Sequence, residues 1–325
     1  MNCRLYERIS FCLSVMTIVN ITLAEDRWGS ISDYRDVRGM HYQDNSIWAA
    51  TSGGLVKLDL NGLKFDKYTM EDGMGGTGIY SMVADTIGGL WLAFENGTIQ
   101  KFQIGQGVTH EVLGFDFESG INRVNQMDIS SKGLFLATNR GIARIVYTEE
   151  FDRWVWFEEY TLLGEFPTNQ PVNTLKVEGD YIWAGTDIGV ARGDLNTPSP
   201  LDWENFTIDN GLRSNEIKDI DNFEDQILVV TSSGISSWMN GDWQLFSTIA
   251  DAKSLVVIGD SLRAIRSQGV YTRKGDQWEI NIPLRNHVRS VVWDDDGKVW
   301  VGMKFDKIAA YRGGIATAVD TGFTE

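Results

Sequence analysis

Seven positions in this chain could do chemistry together. Near the start of seven recurring apolar segments stand Arg38, Tyr80, Asn125, Asn173, Lys218, Lys253 and Arg289, four of them basic in a chain whose formal charge is −16. If these segments are strands arranged about one axis, the seven side chains gather at one end of it. Converging cations there could hold a carboxylate or a phosphate through charge-assisted hydrogen bonds. His287, two residues before Arg289, joins the same rim. The plainer reading is a ring of solvated or salt-bridged rim residues. The candidate ligand-binding residues are therefore Arg38, Tyr80, Asn173, Lys218, Lys253, His287 and Arg289.

Other chemistry has less to stand on. His41, His110 and His287 show no H-E-x-x-H or comparable metal-ligand spacing, and neither a G-x-S-x-G elbow nor a P-loop is present. Paired carboxylates for glycoside chemistry cannot be singled out among 45 acidic residues. The run "WDDDGKVW" (Trp293 to Trp300) reads as a hairpin turn at Asp294, Asp295, Asp296 and Gly297, with calcium binding as the alternative. The expectation is no catalytic residue, no metal and no cofactor.

The totals narrow the setting. The start "MNCRLYER" followed by "ISFCLSVMTIVNITLA" reads as a signal peptide over residues 1–24, with cleavage near Ala24–Glu25. Both cysteines, Cys3 and Cys12, fall inside it, which leaves residues 25–325 without thiol or disulfide. Acidity without a basic patch argues against nucleic acid and against anionic lipid, so no membrane insertion is expected after cleavage. The expected location is secreted, periplasmic or cell-surface. The sequence gives no sign of oligomeric state.

The positioning elements follow from an internal repeat. Segments such as "SIWAATSGGLVKLD" and "YIWAGTDIGVARGD" recur at a mean spacing of about 42 residues, and six of seven copies place glycine six residues beyond the anchor: Gly54, Gly97, Gly141, Gly189, Gly234 and Gly269. This is the period of a four-stranded propeller blade. The local alternation is that of strands, and no sustained helical period appears. Trp48, Trp91, Trp183 and Trp300 read as packing anchors between blades, and the small residues Ala50, Ala93, Ala137, Gly185 and Gly302 as places where neighbouring sheets approach closely. Loops from the outer strand to the next inner strand would bring Glu71, Asp72, Arg213, Asn215 and Asn286 to one rim, where loops from the second to the third strand add Glu95, Asn96, Asn139, Arg140, Asp187 and Arg266.

The predicted fold is all-β, a seven-bladed β-propeller of four-stranded antiparallel blades over residues 25–325. Outer strands carry an aromatic signature ("FDKYT", "FEEYT", "WENFT", "WQLFS") that the last copy, ending "GGIATAVDTGFTE", lacks. The segment "WGSIS" at Trp28 to Ser32 has a similar character. The N-terminal strand is therefore expected to complete the last blade and close the ring.

The stretches "YTMEDGMGGTGIYSMVADTIGGLWLAF" and "FTIDNGLRSNEIKDIDNFEDQILVVTSSGI" resemble the two-component-regulator propeller repeat, and the N-terminal part is similar to propellers of type IX secretion surface components. The repeat's threonine is kept at Thr51, Thr138, Thr186 and Thr231 and replaced by Phe94, Arg266 and Met303. The resemblance implies work at a bacterial cell envelope, as a sensor or a secretion accessory module. The expected function is non-catalytic binding of an envelope protein or an anionic glycan. The alternative is a polysaccharide-active lyase or hydrolase on the same scaffold.

Overall fold

The computed structural model describes residue 34 and residues 36–114, 120–197, 202–283, 288–304, 308–312 and 315–318; for 107–112, 309–312 and 315–318 it describes the backbone alone. These residues form seven four-stranded antiparallel sheets, each built from consecutive strands in the order inner to outer. The inner strands are Val37–Gln43, Ile79–Ala84, Val124–Ser130, Thr174–Glu178, Ile217–Phe223, Ala252–Ile258 and Val288–Trp293. Among the described residues no helix is long and apolar enough to cross a membrane.

One hydrogen-bonded device explains much of the repeat. In four sheets the recurring threonine stands at or just after the end of the second strand, and its hydroxyl donates to the carbonyl of the glycine three residues on: Thr51 to Gly54 (2.7 Å), Thr138 to Gly141 (2.9 Å), Thr186 to Gly189 (2.8 Å) and Thr231 to Gly234 (2.8 Å). The same oxygen accepts the N–H of the residue between, as from Ile188 at 3.1 Å. The threonine therefore satisfies a tight hairpin that would otherwise bury unpaired backbone groups. At Gly189, φ is +142°, and a Cβ would stand 2.3 Å from the carbonyl oxygen of Phe206 on the outer strand. Only glycine fits both demands.

The turns in the "YTMEDGM" and "FTIDNGL" segments are equally local. Thr69 and Thr207 cap single 3-10 turns, Met70–Asp72 and Ile208–Asn210, and donate their own backbone N–H in return to the third residue's side-chain oxygen; Gly73 and Gly211 end the turns in the left-handed region.

The cores lie between sheets, not within them. Seven buried clusters each join two neighbours; Trp91 and Met127, for example, share one cluster, and Trp183 and Ile220 another. Trp183 packs against Phe206, Trp238 and Trp243 with ring centroids 5.7–6.2 Å apart. The four anchor tryptophans are 0–3% exposed, as expected of residues serving as walls between sheets. Close approach at the small positions is also observed: a Cβ on Gly302 would lie 2.4 Å from Val37 Cγ1 of the first sheet.

The expected closure is corrected. The fourth strand of the last sheet is Ile315–Ala318, paired antiparallel with Ala309–Arg312 in the register Arg312↔Ile315 to Ala309↔Ala318. The last sheet is thus completed from its own end of the chain. Trp28 to Ser32, like the signal peptide, lies outside the described residues. The circle closes through packing instead, because Val37, Ile47, Val56 and Leu58 of the first sheet share a core with Trp300 and Ile308 of the last. The aromatic signature misled because it marks strands that pack on a neighbour's wall. A strand can pair through backbone alone without it, and the Gly313-Gly314 dipeptide before it is itself a hairpin signal.

Candidate functional site: the mouth of the central channel

The seven predicted positions do converge, and a backbone irregularity brings them there. In six of the seven inner strands the register shifts by one residue at this position: between Val37 and Gly39, Ile79 and Ser81, Val124 and Gln126, Ile217 and Asp219, Ala252 and Ser254, and Val288 and Ser290. A bulge turns two successive residues to one side of the sheet. Lys218 with Asp219, Lys253 with Ser254 and Asn125 with Gln126 accordingly line a single cavity of about 610 Å³, together with Asn173 and Thr174 of the unshifted fourth sheet and with Arg289 and Lys304. Arg38 and Tyr80 line a second space farther round the same channel. His287 and Asn286 lie outside the described residues, as does the side chain of His110.

The two sides of this mouth differ in charge. Arg38 donates from Nε to Asp36 at 3.1 Å and pairs through NH1 with Glu95 at 2.6 Å; it also donates to the Ile79 carbonyl. The guanidinium groups of Arg38 (4.9 Å) and Arg123 (5.2 Å) both lie over the Tyr80 ring, in cation–π contact. On the neighbouring seventh sheet, Arg289 makes a longer ion pair with the same Asp36, at 3.6 Å, beyond hydrogen-bond range. Among the described residues Lys253 has no carboxylate within ion-pair distance. Burial first, and the charge of Arg289 second, hold the Lys253 ammonium below its ordinary range. Lys218 pairs with Glu216.

Below the mouth, polar side chains close the free edges of the inner strands. These strands line a channel and have no further strand to pair with, so their inward N–H and C=O groups need side-chain partners. Gln126 accepts from Leu175 N (2.5 Å), Asp128 from Val177 N (2.8 Å) and Asp219 from Leu255 N (2.8 Å), each across to the next sheet. Asn125 donates to the Val172 carbonyl at 2.7 Å and Asn173 to that of Ile217 at 3.2 Å. Lys176 bonds Asp221 at 2.9 Å. Burial pushes the Asp128 carboxyl up. Asp219 is surrounded by protein except on its channel side; burial first and Asp221 second push its carboxyl up to about 7.

Several predicted rim residues serve the scaffold. Asp72 and Asn215 accept backbone N–H groups of the capped turns, from Thr69 and Ile208. Asn96 donates to the Gly75 carbonyl, Asn139 accepts from Asn122 and Arg123, Arg140 bonds Asn169, and Asp187 accepts from Asn173. Asp294 accepts the Lys298 N–H (2.8 Å) and the Trp300 indole N–H (2.9 Å), and thereby forms the expected hairpin turn. His41 lies within the channel-lining strand beside Gln43, and burial holds its imidazole below the ordinary value. The sequence reading missed Gln126, Thr174 and Asp219. Each directly follows a predicted position, and for Gln126 and Asp219 a bulge makes both neighbours face inward.

No protein-family model and no curated protein sequence matches this chain. Solved structures do. An extracellular domain assigned to the hybrid two-component system BT3049 of B. thetaiotaomicron is similar with a TM-score of 0.67 and 17% identity over 85% of this chain and 40% of that one. PorZ, a bacterial surface component of the type IX secretion system of Porphyromonas gingivalis, gives 0.70 and 15% over 88% and 38%. Virginiamycin B lyase of Staphylococcus aureus gives 0.63 and 13% over 84% and 94%. The chain spans about two fifths of the length of the first two. These likenesses establish the propeller fold that the repeat resemblance implied.

Proposed function

We propose that this chain is a non-catalytic binding module of the bacterial cell envelope, and that its ligand site is the channel mouth beside Lys253 and Arg289. The ligand is an anionic group carried by an envelope glycan or protein, for instance the carboxylate of a sugar acid. The observation that carries this reading is the pairing of two adjacent cations with a walled cavity: neither is engaged by a carboxylate at hydrogen-bond distance among the described residues, and amide side chains stand opposite. Among the described residues Lys253 has no counter-ion within ion-pair distance and Arg289 only the distant Asp36, so an anion that fits between them gains charge-assisted contacts. The channel carboxylates are occupied with backbone N–H groups or with Lys176, which suits a scaffold more than proton transfer to a substrate. The signal-peptide reading, and likeness to an extracellular sensor domain and to a secretion surface component, support a place at the envelope.

Calorimetric titration with uronate-bearing and neutral oligosaccharides tests the proposal. The wild type should prefer the acidic ligand, and Lys253→Ala with Arg289→Ala should abolish the preference. Equal affinities for the two ligands, or for the two proteins, reject it.

A further inference from the structure

The amide side chains that share the cavity with the cations are held in a fixed sense. Asn125 Nδ2 donates to the Val172 carbonyl at 2.7 Å, and Asn173 Nδ2 donates to Asp187 Oδ1 at 2.7 Å and to the Ile217 carbonyl at 3.2 Å. Each of these partners can only accept, so neither amide can be turned over, and Oδ1 is the polar atom each has left. Among the described residues neither Oδ1 receives a donor, and both residues line the cavity. Gln126 is held the other way: its oxygen accepts from Leu175 N and Thr174 Oγ1, which leaves its NH2 group to donate.

The cavity thus offers two kinds of contact from different sheets: charged donors on Lys253 and Arg289 of the sixth and seventh, and neutral acceptors on Asn173 and Asn125 of the fourth and third. A bare anion uses only the first kind. Sulfate has no proton to give, and against the amide oxygens it would displace water and leave them unpaired. We propose that Asn125 and Asn173 are specificity-determining residues of the mouth, whose amide oxygens accept hydroxyl groups of the ligand, so that the cavity takes a polyhydroxylated carboxylate, one uronic acid unit of a glycan. This rests on the binding site proposed above and adds the neutral half of its recognition. The carboxylate meets the cations, ring hydroxyls donate to the two asparagines, and a hydroxyl oxygen accepts from Gln126. A site built to pair a hydroxyl rejects an analogue without one, because its own polar groups then go unmatched.

The probes are methyl glucuronoside, cyclohexanecarboxylate and sulfate, titrated by calorimetry at neutral pH and one ionic strength. The first two share a six-membered ring and a carboxylate, and only the first carries hydroxyls. Wild-type affinity should be at least about tenfold higher for the glucuronoside than for cyclohexanecarboxylate, and higher than for sulfate in spite of the second charge of that ion. Asn125→Ala and Asn173→Ala should each lower glucuronoside affinity about threefold to tenfold and leave that for cyclohexanecarboxylate within about twofold, whereas a general loosening of the cavity would weaken both alike. Should the variants fail to fold, the wild-type ranking decides. A wild type that binds cyclohexanecarboxylate or sulfate as tightly as the glucuronoside, variants that keep the full preference, or variants that lose both carboxylates in parallel overturn the role of the amides and leave the cation site standing. No binding of any of the three anions overturns both.

Discussion

The channel mouth has two halves built from the same repeat position. On the side of the first three sheets, Arg38 is held by Asp36 and Glu95, and the guanidinium groups of Arg38 and Arg123 both lie over the ring of Tyr80. On the side of the last three, Lys253 and Arg289 line one cavity; among the described residues Arg289 has only a long ion pair with the Asp36 that Arg38 also holds, and Lys253 has no carboxylate within ion-pair distance. The residue types match; the counter-ions differ. A basic residue at a repeated position is therefore not in itself a site. A cation held closely by two carboxylates gains little from a further anion, while one without a close counter-ion gains more.

The sharpest way to break this contrast is charge reversal. Lys253→Glu with Arg289→Glu should lower affinity for a uronate oligosaccharide at least ~100-fold, about 3 kcal/mol, as read by calorimetry. A loss below threefold would mean that the two halves do not differ in function.

The next effect concerns the acid beneath the cations. The Asp219 carboxyl stands at about 7 when folded, against about 3.9 for an unfolded chain. Between those values the folded state binds more protons than the unfolded one, so this residue's contribution to stability falls as pH rises from about 4 to about 7 and is level above. Partial solvent contact through the channel moderates the size. Asp219→Asn should remove a decline of roughly 1–3 kcal/mol, visible as the difference between variant and wild-type denaturant midpoints at pH 4.5 and 7.5. An unchanged difference between the two pH values would show that Asp219 is ionised throughout.

Thr186→Val should cost about 1–2 kcal/mol by leaving the Ile188 N–H without its partner, with little change in anion affinity. Guanidinium unfolding measures this, and a neutral result would mean that the hairpin is held by its backbone pairing alone. The smallest expected effect is that of Arg38→Ala: less than about a threefold change in uronate affinity and at most ~1 kcal/mol in stability, because its ion pairs are partly exposed. An Arg38 effect as large as that of Arg289 would merge the two halves into one site.

Much of the scaffold was legible in the chain because the signals are local. The threonine and glycine of the second hairpin act over three residues, and the capped turns at Thr69 and Thr207 over four. The anchor tryptophans recur at the same place in each copy, so their role between sheets could be read from spacing. The convergence of Arg38, Tyr80, Asn173, Lys218, Lys253 and Arg289 at the channel followed from their shared position on the inner strands. Their companions Gln126 and Asp219 were overlooked because strict strand alternation assigns adjacent residues to opposite faces, and the bulge suspends that rule.

What the sequence determined, then, is the repeated unit: strand, hairpin and turn are specified by bonds among near neighbours along the chain, and periodicity multiplies them. Tertiary structure decided the rest. That Ile315–Ala318 rather than an N-terminal segment completes the last sheet depends on backbone pairing, which leaves no side-chain signature. That Arg38 is neutralised while Lys253 is not depends on Asp36 and Glu95, residues placed by separate turns, and electrostatic environment is set by distance in space between groups that the sequence leaves unconnected.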